Sequence, residues 1–186
     1  QETNEVRKIL VAIGDTVRRH IAEFKHNIEL MAELDYLSAR AEFAIKYGLS
    51  IPEFSRNNAD KNGSLILRSV HHPLLYINER EESVPIDLTL RPQDKVLVIT
   101  GPNAGGKTTT LKTIGLTTLM VQSAIPVACS PASKLPFFNG VFADIGDEQD
   151  VQLGLSTFTA HVQNITRILT KATPESLVLL DELGTA

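Results

Sequence analysis

Val96-Leu97-Val98-Ile99-Thr100-Gly101-Pro102-Asn103-Ala104-Gly105-Gly106-Lys107-Thr108-Thr109 is the stretch on which the fold reading turns. A run of β-type composition enters a glycine-rich loop, and the loop enters a segment of helical composition from Gly105 to Val121. The loop satisfies G-x-x-x-x-G-K-[ST] with the strand before it and the helix after it that the pattern requires. Glycines permit backbone angles that turn successive N–H groups inward, which makes a concave anion site at a helix N-terminus. Lys107 is placed to reach the β- and γ-phosphates of a nucleotide and the Thr108 hydroxyl to ligate Mg²⁺. The expected ATP-binding set is Gly101, Pro102, Asn103, Ala104, Gly105, Gly106, Lys107, Thr108 and Thr109.

The next informative stretch lies downstream, at Leu177-Val178-Leu179-Leu180-Asp181-Glu182. An apolar strand ending in an acid puts a carboxylate at the carboxyl edge of a sheet, where α/β folds bind ligands. Alone, two acids after a strand mark an ordinary turn. After a phosphate loop they read differently: Asp181 holds Mg²⁺, through water, and Glu182 orients or deprotonates the attacking water as the catalytic residue. An Asp-Glu pair at this place is the habit of ABC-type ATPases rather than of adenylate-type kinases or small GTPases. In that class a signature segment from a second subunit completes each site.

Working outward, Glu2 to Tyr47 lacks Pro, holds Gly14 as its single Gly, and carries apolar residues at helical spacing, among them Val6, Leu10, Ile13 and Val17. The spacing predicts a long helix or two, with a weak point near Gly14. Gly48 suits a C-cap and Pro52 forbids simple continuation. Asn57 to Ser64 reads as a polar linker or hairpin tip. Beyond it, Ser64–Val70, Ile86–Leu90, Val96–Thr100, Val141–Ile145 and Leu177–Leu180 read as strands, and Thr157–Thr170 as a further helix. Apolar strands interleaved with helices predict a mainly parallel sheet with flanking helices. The expected division is a helical stem over residues 1–56 and an α/β nucleotide-binding domain over residues 57–186. The chain stops at Leu183-Gly184-Thr185-Ala186, directly after the acidic strand, and so reads as a fragment.

Bulk properties bound the alternatives. In 186 residues there are 42% hydrophobic and 22% charged, with a net charge of −4, so no overall basic field advertises nucleic acid. Cys129 is the one cysteine, which rules out an intrachain disulfide and suits a reducing cytosol. No apolar run approaches the roughly 20 residues that span a bilayer. A cytoplasmic protein without a membrane partner is expected. His71 and His72 lack Cys or acidic partners at zinc-ligand spacing.

Three motifs in order, Gly101-Pro-Asn-x-Gly-Gly-Lys107-Thr108, Gly154-x-Ser156-Thr157-Phe158 and Asp181-Glu182-Leu183-Gly184, resemble the ATPase domain of the MutS family, a P-loop ABC-type fold. His72-Pro73 and Leu30-Met-Ala-Glu-Leu-Asp-Tyr-Leu37 extend the resemblance, the latter to the lever that joins the ATPase. Phe142-Ala-Asp-Ile-Gly-Asp-Glu-Gln149 followed by Leu155-Ser156-Thr157-Phe158 is similar to the second MutS branch, where the mismatch-repair branch has Arg at the place of Leu155. The resemblance implies a homodimer through the ATPase domain, and ATP with Mg²⁺ as cofactors. It implies DNA, branched or duplex, as a partner engaged mostly outside this stretch, with suppression of recombination as the role and the ribosome as a further partner. The nuclease module of that branch lies outside this stretch.

For Ser156 the resemblance implies a role in trans, on the γ-phosphate held by the partner subunit. A hydroxyl with free N–H groups at a helix start is an anion site and an ordinary N-cap at once. His161, one turn on, reads as a surface helical histidine, and Asp144, Asp147, Glu148 and Asp150 as a solvated acidic loop of which one member approaches water or Mg²⁺. Other readings are a mismatch-repair ATPase, a transporter ATPase subunit and a non-hydrolysing nucleotide switch. Leu153-Gly-Leu-Ser-Thr-Phe158 is not the Leu-Ser-Gly-Gly-Gln of transporters, and Lys107 lies too close to Asp181 for their inserted helical subdomain. Glu182 argues against a pure switch.

Overall fold

The computed structural model describes residues 2–55, 63–102, 105–145 and 157–181. The chain divides into two compact units, residues 1–43 and 44–186. The first is helical: α1 spans Glu2–Arg19, and α2 spans Ile21–Tyr47 and runs on into the second unit. The break falls at His20, not near Gly14, which stays helical. A single glycine costs a helix only about 1 kcal/mol, and local pairs hold α1 through it: Glu5 accepts from Lys8, and Asp15 from Arg18. No residue of either helix is buried. Gly48, at φ +66°, takes the left-handed conformation that ends α2 as expected.

The second unit is mixed α/β. In it β1 is Glu53–Ser55, β2 Leu65–Val70, α3 Pro73–Asn78, β3 Ile86–Leu90, α4 Lys107–Gln122, β4 Lys134–Pro136, β5 Gly140–Asp144, α5 Thr157–Lys171 and β6 Ser176–Leu180. Among the described residues two small sheets form. One has the order β1-β4-β2-β3, with β1 and β4 parallel and β2 antiparallel to both neighbours. The other is the parallel pair β5-β6, joined through α5. The expectation of a mainly parallel sheet therefore holds for β5-β6 and fails for the four-stranded sheet. There β2 and β3 pair as an antiparallel ladder interrupted between Leu67 and Val70, where Asp87 accepts from the Ser69 amide.

A second correction concerns Val96–Thr100. The run is not a strand: Val96 and Val98 are 78% and 75% exposed. A strand exists through its ladder, and among the described residues nothing pairs with this one, so β-type composition alone leaves it irregular.

Leu65, Leu67 and Val70 of β2, Ile114 and Val121 of α4, Val127, Leu135 of β4 and Leu179 of β6 make one buried cluster. Helix α4 thus lies on the core through Thr113, Ile114, Gly115, Thr117, Thr118 and Val121. Gly115 is required by close approach, because a Cβ there would stand 2.8 Å from Leu179 Cδ1. Gly115→Ala should therefore lower stability by about 1–2 kcal/mol despite the better helix propensity of Ala, read as a lower urea midpoint at unchanged slope.

Candidate functional site

The loop begins with Gly101 at φ +154° and closes on Gly106, whose φ of +75° lets it stand in left-handed conformation immediately before α4. Between them the Gly105 amide donates to the Pro102 carbonyl at 2.9 Å, and a Cβ on Gly105 would stand 3.0 Å from that same oxygen. The tight turn thus needs glycine at this point. Asn103 and Ala104 lie outside the described residues.

Lys107, the first residue of α4, folds back over the loop. Its Nζ donates to the carbonyls of Gly101 at 2.8 Å and Pro102 at 2.9 Å. The ammonium is thereby held within the turn of its own loop, where an anion bound by the backbone would meet it. Thr109 is exposed at the same helix start.

Thr108 makes the long-range contact. Its Oγ1 donates to Asp181 Oδ2 at 2.5 Å, across 73 residues of sequence. Asp181 follows β6, and its amide donates to the Asp144 carbonyl at 2.9 Å, extending the β5-β6 ladder by one bond. The two parallel strands therefore end side by side in acids, one of them touching the loop's threonine. Helix α4 can lie against β6 because Gly115 has no side chain at the crossing. A hydroxyl and a carboxylate brought together supply hard oxygen ligands, which suit Mg²⁺. Glu182 and Ser156 lie outside the described residues, as do Asp147, Glu148 and Asp150.

Two side chains weighed in the sequence stand differently in the structure. Asp144 is not a solvated loop acid. Its side chain is 9% exposed, and it accepts from Asn164 Nδ2 at 2.8 Å while its other oxygen lies 3.1 Å from His161 Nδ1. His161 is accordingly half-buried and paired rather than a bystander on the surface. Asn164 completes the trio, and the sequence signal for it is an Asp closing one strand with His and Asn one turn apart on the following helix.

His72 and Pro73 open α3. His72 Nδ1 accepts from the Leu75 amide at 3.4 Å and Pro73 occupies the first turn, where its missing N–H costs nothing. Burial, with Lys112 nearby, holds the His72 imidazole below its ordinary pKa. His71 is lowered as well, by burial first, although Ser83 hydrogen-bonds it and raises it in part, and Arg80 lowers it further. Both imidazoles are thus biased to the neutral form, so the His-Pro pair shapes the backbone here rather than adding cationic charge.

The MutS domain V family matches residues 97–186, which take in the loop, α4, β5, α5 and β6. Over 183 residues the chain is 45% identical to the protein named Endonuclease MutS2 of Agathobacter rectalis, covering 98% of this chain and 22% of that one. The chain belongs to the MutS family. It is also 45% identical to Endonuclease MutS2 of Halalkalibacterium halodurans over 184 residues and 42% identical to that of Aquifex aeolicus over 184 residues. These alignments cover 99% of the chain and 22% and 23% of those relatives, so the chain spans less than a quarter of their length. The likeness is to the MutS2 branch of the family. Among the described residues no helix is long and apolar enough to cross a membrane.

Proposed function

We propose that this MutS segment binds and hydrolyses ATP, as part of a cytoplasmic, dimeric DNA-processing protein. The observation that carries the reading is the Thr108–Asp181 contact, which joins the loop and the acidic strand end at one place. Backbone N–H groups of the loop between Gly101 and Thr109, Pro102 having none to give, cradle the phosphates, and Lys107 turns from the loop carbonyls toward the β/γ-phosphates. Thr108 and Asp181 would hold Mg²⁺, which when bound would supply positive charge against the phosphates. Glu182, next in sequence to Asp181, orients or deprotonates the attacking water. Ser156 of each protomer serves the nucleotide of the other, and Asp-Glu at this strand end favours hydrolysis over a pure switch.

The wider role follows the MutS2 branch: binding of branched DNA, suppression of recombination and ribosome-associated quality control. Residues 1–56 act as the stem that carries domain closure to the nucleic-acid-engaging parts. The relatives bear the name endonuclease, but we assign nuclease activity to no residue of this chain. Leu155, where mismatch-repair members carry Arg, favours the second branch over the first.

Complementation between mutants tests the composite site in the full-length protein. Ser156→Arg keeps an intact loop, and Lys107→Ala keeps an intact Ser156. In a mixed dimer the surviving loop faces the surviving serine, so two inactive proteins should regain part of the activity on mixing. A site complete within one chain predicts instead that Ser156→Arg hydrolyses ATP normally by itself.

A further inference from the structure

The end of β5 is gripped from two sides. Successive peptide groups along a strand point alternately to its two edges. The Asp144 carbonyl faces β6 and accepts from the Asp181 amide at 2.9 Å, so the Ala143 carbonyl faces the other edge. Among the described residues no third strand pairs there. Asn164 of α5 supplies the donor instead: its Nδ2 reaches the Ala143 carbonyl at 3.1 Å and Asp144 Oδ1 at 2.8 Å. Arg167 Nη2 donates to Asn164 Oδ1 at 2.7 Å, which fixes the amide's orientation. His161 Nδ1, one turn earlier on the helix, lies 3.1 Å from the other Asp144 oxygen. A carboxylate only 9% exposed is tolerated here because both of its oxygens have partners.

These contacts reach the candidate Mg²⁺ site through the backbone. The bond from the Asp181 amide lies one residue beyond the last register pair, Asp144 with Leu180, and the end of a ladder is where pairing opens first. That same residue carries the carboxylate that meets Thr108 Oγ1. The Thr108 side of the contact is set independently, since α4 is seated on the core. The Asp181 side depends on how firmly the end of β5 is held. We propose that Asp144 is a positioning residue for the metal: anchored by His161 and Asn164, it fixes the strand end that keeps the Asp181 carboxylate facing Thr108. Both Asp144 oxygens are engaged by α5, so it acts through Asp181 rather than as a ligand. This rests on the assignment of Mg²⁺ to Thr108 and Asp181 above and adds to it the support that orients them.

The experiment uses the full-length protein with a non-hydrolysable ATP analogue bound, and titrates Mn²⁺, which takes the same oxygen ligands as Mg²⁺ and is counted by its electron paramagnetic resonance signal. Asp144→Ala should weaken Mn²⁺ binding about 10-fold or more, the usual cost of losing a group that supports a metal ligand. Should that variant fail to fold, Asn164→Ala, which leaves the carboxylate and His161 in place, should weaken it in the same direction. Affinity for the analogue without metal should stay within about twofold in both, because the loop is untouched. Asp144→Asn should rescue: its oxygen still accepts from Asn164 and its amide can donate to His161, so Mn²⁺ affinity should stay within about threefold of the unaltered protein. An Asn variant as poor as the Ala variant would mean that the charge of Asp144 acts on the metal, which overturns positioning. Asp181→Asn runs beside them. If it weakens Mn²⁺ while Asp144→Ala and Asn164→Ala do not, the inference fails alone, and the cluster serves only stability. If Asp181→Asn itself leaves Mn²⁺ affinity unchanged, the metal assignment fails and the inference goes with it.

Discussion

Glu182→Gln should leave ATP bound and nearly stop its hydrolysis. The amide keeps the size and much of the hydrogen bonding of the carboxylate but cannot accept the water's proton. General-base removal typically costs about 10²-fold or more in turnover. Binding, which the proposed function assigns to the loop, Lys107 and Mg²⁺, should change little. Measured together, analogue affinity and steady-state phosphate release should separate in this variant. Turnover at the normal rate would remove Glu182 from the chemistry and leave Asp181 as a bare metal ligand.

Lys107→Ala should do the reverse and damage binding itself. The Nζ now sits against the Gly101 and Pro102 carbonyls, a short movement from any phosphate seated in the loop. A charge-assisted contact of this kind contributes about 1.5–3 kcal/mol, equivalent to roughly 10- to 150-fold in dissociation constant. Raising ionic strength should shrink the difference between the two proteins, because the lost interaction is partly electrostatic. The same titration with a fluorescent ATP analogue reads both effects, and equal affinity at moderate salt would mean that the phosphates sit elsewhere.

The second unit shows where a sequence pattern is enough and where it is not. Helices α4 and α5 and strands β5 and β6 begin and end within about two residues of their sequence-based bounds. Each has length, and each is bounded by Gly, Pro or Asn signals. Strands β1 and β4, of three residues each, carry no usable period, and β4 includes Pro136; they exist because they pair with each other. Helix α3 has six residues and owes its start to a histidine cap and a proline. Val96–Thr100 errs in the other direction, since its composition is that of a strand and its exposure that of an unpaired segment.

The candidate site divides in the same way. Lys107, Thr108 and Asp181 were legible because the phosphate loop is a local motif and because an apolar run ending in acid is a local pattern. Their meeting was expected only from the order of motifs, and the 2.5 Å contact supplies the geometry. The Asp144–His161–Asn164 cluster was not legible. Its members come from different elements, 17 and 20 residues apart, and Asp144 opens a run of acids that looks solvated in one dimension. Burial at the end of a parallel strand, which gives Asp144 its partners, is a property of the fold.

Whether this MutS segment belongs to a hydrolase rather than to a nucleotide switch turns on a single-turnover experiment. Full-length protein in excess over labelled Mg-ATP should convert the bound nucleotide to ADP and phosphate, and omission of Mg²⁺ should stop the conversion. Labelled ATP that stays bound and intact through the time course, with Mg²⁺ present and dimers formed, would contradict the account.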